Sequence, residues 1–227
     1  MSELRTEVEE VILRRRSTRA YKKKKVPEHL IRRVLEAGRF APSAGNCQPW
    51  RFIVFRNAEL IKDMETRLIK IMSPLKKIVS LGEGIKRDVT VSLISLLGSQ
   101  NVGDLRPLGA VKEVLSGNLK IYHDAPAVIL ILKDTRGIDS PDFDTGLCAQ
   151  SMVLAAHSMG LGTCYIGFAT LLRKDKQWMD KMKIKKPWAI STAITLGYPK
   201  YDSDGHCQRD LPQIDMYDEQ GHLDITY

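Results

Sequence analysis

One short stretch constrains the fold more than any other: the unbroken apolar run Ala125 to Leu132, APAVILIL. Eight residues fall far short of the ~20 that a membrane-spanning helix needs. The run is dense in β-branched residues and bounded by polar ones, so it reads as a buried strand. Such a strand needs other elements to cover it. Arg51 to Phe55, RFIVF, and Ala189 to Leu196, AISTAITL, are two further strand candidates, the latter closed by Gly197-Tyr198-Pro199. Apolar spacing predicts helices over residues 3–16 (Leu4, Val8, Val11, Ile12), 27–40 (Leu30, Ile31, Val34, Leu35 and Ala37 inward) and 58–71. A fourth, over 144–159, is apolar on most sides, as suits a core or interface helix, and Gly160 and Gly162 end it. Residues 73–120 are the least patterned, with helical stretches around 84–97 and 108–116, and read as an excursion or lid. The tail from Lys200 to Tyr227 is polar. Strand–helix alternation with neither a hairpin ladder nor a linker predicts one α/β or α+β sandwich domain over residues 1–227.

The chain has 227 residues, 43% apolar and 27% charged, enough to bury a core without disulfides or structural metals. Intrinsic disorder, a fibre and a disulfide-stapled mini-protein are excluded. The N-terminus, MSELRTEVEE, has no apolar stretch of the signal-peptide kind, so a cytosolic protein without a membrane role is expected. Cys47, Cys148, Cys164 and Cys207 lie 101, 16 and 43 residues apart, without a CxxC pair, which supports neither a zinc site nor a thioredoxin-type motif. The net charge is +8, and residues 1–50 hold twelve basic against six acidic side chains, +6 of that total. Such charge attracts nucleic acid, a membrane surface or a phosphorylated small molecule. No basic stripe is interleaved with aromatics, which are 7% of the chain, and this speaks against nucleic acid.

Three segments could carry chemistry. Arg15-Arg16-Ser17-Thr18-Arg19 puts three guanidiniums and two hydroxyls where a helix gives way to a loop, a dense donor set for phosphate. The adjacent Lys22 to Lys25 run reads as a solvated face. Ala41 to Trp50, APSAGNCQPW, is a loop stiffened by two prolines, with Ser43, Asn46 and Gln48 able to read the edge of a heterocycle. Cys47 has no histidine nearby in sequence and is not read as a nucleophile. Gly160 to Gly167, GLGTCYIG, misses the GxGxxG spacing and follows a helix rather than a strand, so it reads as a helix stop or as a backbone-rich loop against a flat ligand. Phosphate-loop, HExxH and GxSxG motifs are absent, and the five histidines show no metal-ligand spacing.

Taken in order, RRSTRAY, APSAGNCQPWRFIVF, DAPAVILIL, DTGLCAQSMVLAAHSMGLGTCYIGF and ITLGYP resemble the nitroreductase family of FMN-dependent oxidoreductases. The likeness covers about 10–57 and 122–212. It implies a mixed β-sheet flanked by helices, an α+β sandwich, in an intertwined homodimer with an FMN at each end of the interface. The 144–159 helix would then be a dimer helix. By motif, Arg15 and Arg209 would bind the FMN phosphate, Arg16 and Ser17 phosphate or ribityl, and Arg19 the pyrimidine side of the ring. Pro42, Ser43 and Asn46 would line the cofactor, and Cys164, Tyr165, Ile166 and Gly167 would offer it backbone groups. The implied activity is hydride transfer from NADH or NADPH through flavin N5 to nitroaromatics, quinones or related acceptors, with flavin rather than a side chain as the reactive group. Reductive dehalogenation, flavin fragmentation and a non-catalytic FMN carrier or sensor are the alternatives on the same fold. The family's second basic residue before the C-terminal Arg is missing, since His206, Cys207 and Gln208 precede Arg209.

Overall fold

A computed structural model describes residues 5–76, 106–202, 209–219 and 221–225. The elements are α1 (Glu7–Arg14), α2 (Glu28–Arg39), β1 (Trp50–Phe55), α3 (Ala58–Met72), α4 (Arg106–Leu115), β2 (Ala127–Asp134), α5 (Pro141–Ser158), β3 (Gly162–Tyr165), α6 (Lys176–Lys181), β4 (Trp188–Gly197), β5 (Ile214–Asp218) and β6 (Gly221–Ile225), with short 3-10 turns at Ala44–Asn46, Ser73–Leu75 and Gly167–Lys174. They form two compact units, Arg16–Asp202 on the one hand and Met1–Arg15 with Ser203–Tyr227 on the other.

In the larger unit the strand order is β1-β2-β4-β3, and each neighbouring pair is antiparallel. Among the described residues the parallel contact is a bridge between Ser17 and Thr163. β2 sits between two strands, and its side chains alternate between two apolar clusters. Val128, Leu130 and Leu132 join a cluster that includes residues of α3, α4 and α6, while Ala127, Ile129 and Ile131 join one that includes residues of α2 and α5. Both faces are therefore covered, which is why the run is apolar at every position. Each of these large side chains contributes about 1.5–3 kcal/mol by leaving water.

α5 is capped by Ser140, whose Oγ accepts from Phe143 N, has Pro141 in its first turn, and stops at Gly160, which adopts φ +72°. Cys148, Met152, Val153 and Ala156 are buried. α2 packs closely because Gly38 has no side chain: a Cβ there would lie 2.6 Å from Met152 Cγ. The 27–40, 58–71 and 108–116 helices expected from spacing correspond to α2, α3 and α4, and the 84–97 expectation lies outside the described residues.

Four expectations need correction. α5 begins at Pro141, ahead of Asp144, because Ser140 and Pro141 supply the start signal. GLGTCYIG is not a loop throughout, since Gly162–Tyr165 pairs with Gly197–Ile194 as β3. The polar tail contains the hairpin β5–β6. α1 is shorter than 3–16 and buries no residue, with Val8 and Ile12 exposed, because helical spacing sets which residues share a face but not what covers that face.

Candidate cofactor site

Arg16 to Arg19 runs along the outer edge of β3. Thr18 N donates to Thr163 O at 2.7 Å, and Gly162 makes this approach feasible, because a Cβ there would lie 2.4 Å from Thr18 Oγ1. Behind the segment, buried Tyr21 places its hydroxyl 2.7 Å from both Thr18 O and Thr195 Oγ1. Thr195 Oγ1 in turn accepts from Cys164 N at 3.1 Å. This chain of bonds holds the basic loop, β3 and β4 in one register. Burial keeps the Tyr21 phenol protonated far above the usual tyrosine range, so it acts as a neutral clamp. Arg16 is half-buried, while Ser17 and Arg19 are exposed. The Arg19 charge lies close enough to half-buried His123 to help burial hold that imidazole below its ordinary pKa.

The Cys164–Gly167 set divides by direction. The N–H groups of Cys164 and Ile166 are committed to Thr195 Oγ1 and Ala193 O, and both side chains enter the apolar core. Neither amide is available to a ligand, which corrects the expectation that the whole stretch offers its backbone. Alternation along an edge strand turns the Tyr165 amide the other way. Gly167 follows, with open space where a side chain would stand.

Pro42, Ser43 and Asn46 belong to a separate place. Ser43 Oγ accepts from Gln48 N at 2.9 Å, and Asn46 Oδ1 accepts from Gln48 Nε2 at 3.1 Å. Gly45, Asn46 and Gln48 all take positive φ, which shapes the turn. The Ser43 hydroxyl proton and the Asn46 amide protons remain as donors toward solvent. Beneath the loop, Asp144 is buried; its Oδ1 accepts from Ala44 N at 3.2 Å, and Oδ2 has no partner among the described residues. Sequence reading missed Asp144, Tyr21 and Thr195. Each lies inside a quoted motif, Tyr21 closing RRSTRAY, Asp144 opening DTGLCAQ and Thr195 within ITLGYP, but nothing local marked them as partners of the site.

These two groups do not meet within one chain. The Ser43 loop feeds β1 at one edge of the sheet and Arg16–Arg19 lies on β3 at the other, three strand spacings or about 14 Å across. They also lie toward opposite ends of α5, where Asp144 to Ser158 alone spans about 21 Å. Arg15, whose N–H caps α1 on Val11 O, and exposed Arg209 both belong to the smaller compact unit. The donor chemistry fits a phosphorylated flat cofactor: guanidiniums and a hydroxyl beside an edge strand that ends at an open glycine. Among the described residues no group of three or more His, Cys, Asp or Glu could hold a metal ion, and no helix is long and apolar enough to cross a membrane.

The fold is an antiparallel-sheet α+β domain whose β3 edge carries the Arg16–Arg19 donors. Residues 12–198 match the Nitroreductase family model, and the chain belongs to that family. A Methanothermobacter thermautotrophicus relative that bears the provisional name NADH dehydrogenase/NAD(P)H nitroreductase is 28% identical over 196 residues, 85% of this chain and 78% of its own. Iodotyrosine deiodinase 1 of Sus scrofa is 30% identical over 129 residues, covering 56% of this chain and 37% of its own. Among solved structures, a nitroreductase with bound FMN from Desulfitobacterium hafniense superposes with a TM-score of 0.68 at 22% identity, covering 91% of this chain and 96% of that one.

Proposed function

We propose that the protein is an FMN-dependent NAD(P)H oxidoreductase that reduces nitroaromatics, quinones or related electron-poor acceptors as a homodimer. The observation that carries this reading is the separation of two ligand-ready groups within one chain, on a family fold whose solved relatives include FMN-bound proteins. In a two-fold dimer, the Arg16–Arg19 edge of one protomer and the Pro42–Asn46 loop of its partner form one complete site. α5, apolar on most sides, is then the dimer helix.

Bound FMN supplies a hydride-accepting N5 and a ring that holds the electron pair. Arg16 and Ser17 bind the phosphate or ribityl end, and Arg15 and Arg209 are assigned to the phosphate by the family motif. Arg19 would place a cation at the pyrimidine edge, where it would favour negative charge on the reduced ring. Tyr165 and Gly167 would offer backbone groups to the ring, while the Thr195–Tyr21 clamp holds that edge in register. Ser43 and Asn46 donate to the cofactor from the partner's side. No side-chain nucleophile is required.

The test is an absorption spectrum of the purified protein, followed by anaerobic titration with NADH and with NADPH and then an acceptor screen. A flavin spectrum that bleaches and recovers on adding a nitroaromatic or quinone supports the reading. A flavin spectrum that neither nucleotide bleaches points to a carrier, and a protein that cannot be loaded with FMN overturns it. A second reading, reductive dehalogenation, is favoured by the similarity to iodotyrosine deiodinase 1. Halide release from an iodophenol in the same screen separates the two.

A further inference from the structure

A cavity of about 470 Å³ opens beside the Ser43 loop, between the start of β1 and the turn that follows β2. Its size lies within the usual range for small-molecule sites. Gln48, Pro49, Asp134, Arg136 and Trp188 are among its lining residues, and Cys47, next to Asn46, opens it toward the loop.

Each wall has a distinct chemistry. Trp188 is half-buried, packs against the apolar core and also lines the cavity. The guanidinium of Arg136 is held in one plane by Asp134, with Nε 3.1 Å from Oδ1 and Nη2 2.7 Å from Oδ2. It stays largely exposed and lines the cavity, with N–H groups left over beyond those given to Asp134. Gln48 gives its amide N–H to Asn46 and keeps its carbonyl as an acceptor. The turn that leads into Trp188 carries exposed Lys183, Lys185 and Lys186. That turn is stitched to the Arg136 turn by Thr135, whose N and Oγ1 both donate to Pro187 O at 2.9 Å. An aromatic wall, a guanidinium held by Asp134 and an acceptor amide, with a lysine-bearing turn bonded to the Arg136 turn, together suit a flat heterocycle that carries phosphate.

We propose that this cavity seats the adenosine phosphate end of NAD(P)H, with the purine against Trp188 and the phosphates toward Arg136, Lys185 and Lys186. This rests on the reductase reading, because it is that reaction that brings the nucleotide to a site bordered by Asn46. It gives the chain a nucleotide-tail site without a dinucleotide-binding fold.

The test is calorimetric titration of FMN-loaded protein with ADP-ribose, which has the adenosine and phosphates but lacks nicotinamide. Saturable binding is expected, weakening as salt rises, with ADP-ribose competing against NAD(P)H in flavin reduction. The exposed pair Lys185→Ser/Lys186→Ser and the variant Trp188→Leu should each bind about tenfold more weakly, and Trp188→Phe should retain binding because a ring remains to stack. The KM for the reductant should rise by the same factor, with flavin reduction at saturating reductant unchanged. Trp188→Phe and the lysine pair keep the test open if Trp188→Leu does not fold. Failure of ADP-ribose to bind protein that NAD(P)H still bleaches overturns the cavity assignment and leaves the reductase reading intact. Binding untouched by all of these substitutions overturns it too. FMN-loaded protein that neither nucleotide bleaches, and that ADP-ribose does not bind, overturns both.

Discussion

Thr195 is fully buried, and its Oγ1 lies 2.7 Å from Tyr21 Oη and 3.1 Å from Cys164 N. Thr195→Val keeps the shape and deletes the oxygen, leaving a buried amide without its acceptor. The expected loss is about 1–3 kcal/mol in a urea titration, with a slope unchanged from the parent protein. FMN affinity should fall with it, because the clamp behind Arg16–Arg19 is loosened. Cys148 makes a second prediction at this scale. Burial pushes its thiol up to about 12 from an ordinary value of 9.0. Between those values the folded chain keeps a proton that the unfolded chain releases, so stability is whole below pH 9 and declines as pH rises toward 12. One thiol contributes at most about 1.4 kcal/mol per pH unit to that slope. Buried Tyr21 acts in the same direction at higher pH, so the comparison is with Cys148→Ala. Thermal melts from pH 8 to 10.5 should show a shallower decline in that variant, and parallel curves would refute the assignment.

At the scale of elements, β3 is the strand that most depends on its surroundings. Its four residues, GTCY, show no apolar run, and their pairing comes from β4 on one side and a single bridge to Ser17 on the other. Gly162 is the position where that arrangement is tightest. Gly162→Ala sets a methyl 2.4 Å from Thr18 Oγ1 and must push the basic segment off the strand. A cost of about 1–3 kcal/mol is expected, with a larger proportional loss of FMN binding by fluorescence titration. Gly109 in α4 has open space around it, so Gly109→Ala should gain about 0.5–1 kcal/mol from helix propensity and leave FMN binding as it was. Equal effects of the two substitutions on FMN would sink the role given to the β3 edge. The same contrast explains what was legible. β2 could be read because both its faces are covered and every position is apolar. β3 could not, because a short edge strand takes its identity from a partner distant in sequence. α1 was legible as a helix, yet Val8, Ile12 and Leu13 proved exposed and none of its residues buried, since periodicity does not say what a face meets.

For the molecule as a whole, the proposed pairing of two groups at opposite sheet edges across a dimer makes a prediction that no single chain can satisfy. Arg19→Gln should weaken FMN binding through one half and Asn46→Asp through the other, Asp being chosen because it tolerates the positive φ found there. Unfolding and refolding an equal mixture of the two variants should produce hybrid dimers with one site intact and one doubly altered. Recovery of tight FMN binding in the mixture, at up to one flavin per hybrid dimer, is expected. A mixture that binds no better than either variant alone would place the site within one protomer. The five motifs, their order and the donor types of Arg16, Ser17, Arg19, Ser43 and Asn46 were determined by the sequence alone, because side-chain chemistry and local periodicity are properties of neighbouring residues. Tertiary structure decided which of them face one another. Thr195 meets Tyr21 across 174 positions, and Ser43 is parted from Ser17 by the width of the sheet and much of the length of α5. Strand order and helix length set those separations, and both arise from packing between segments far apart in the chain.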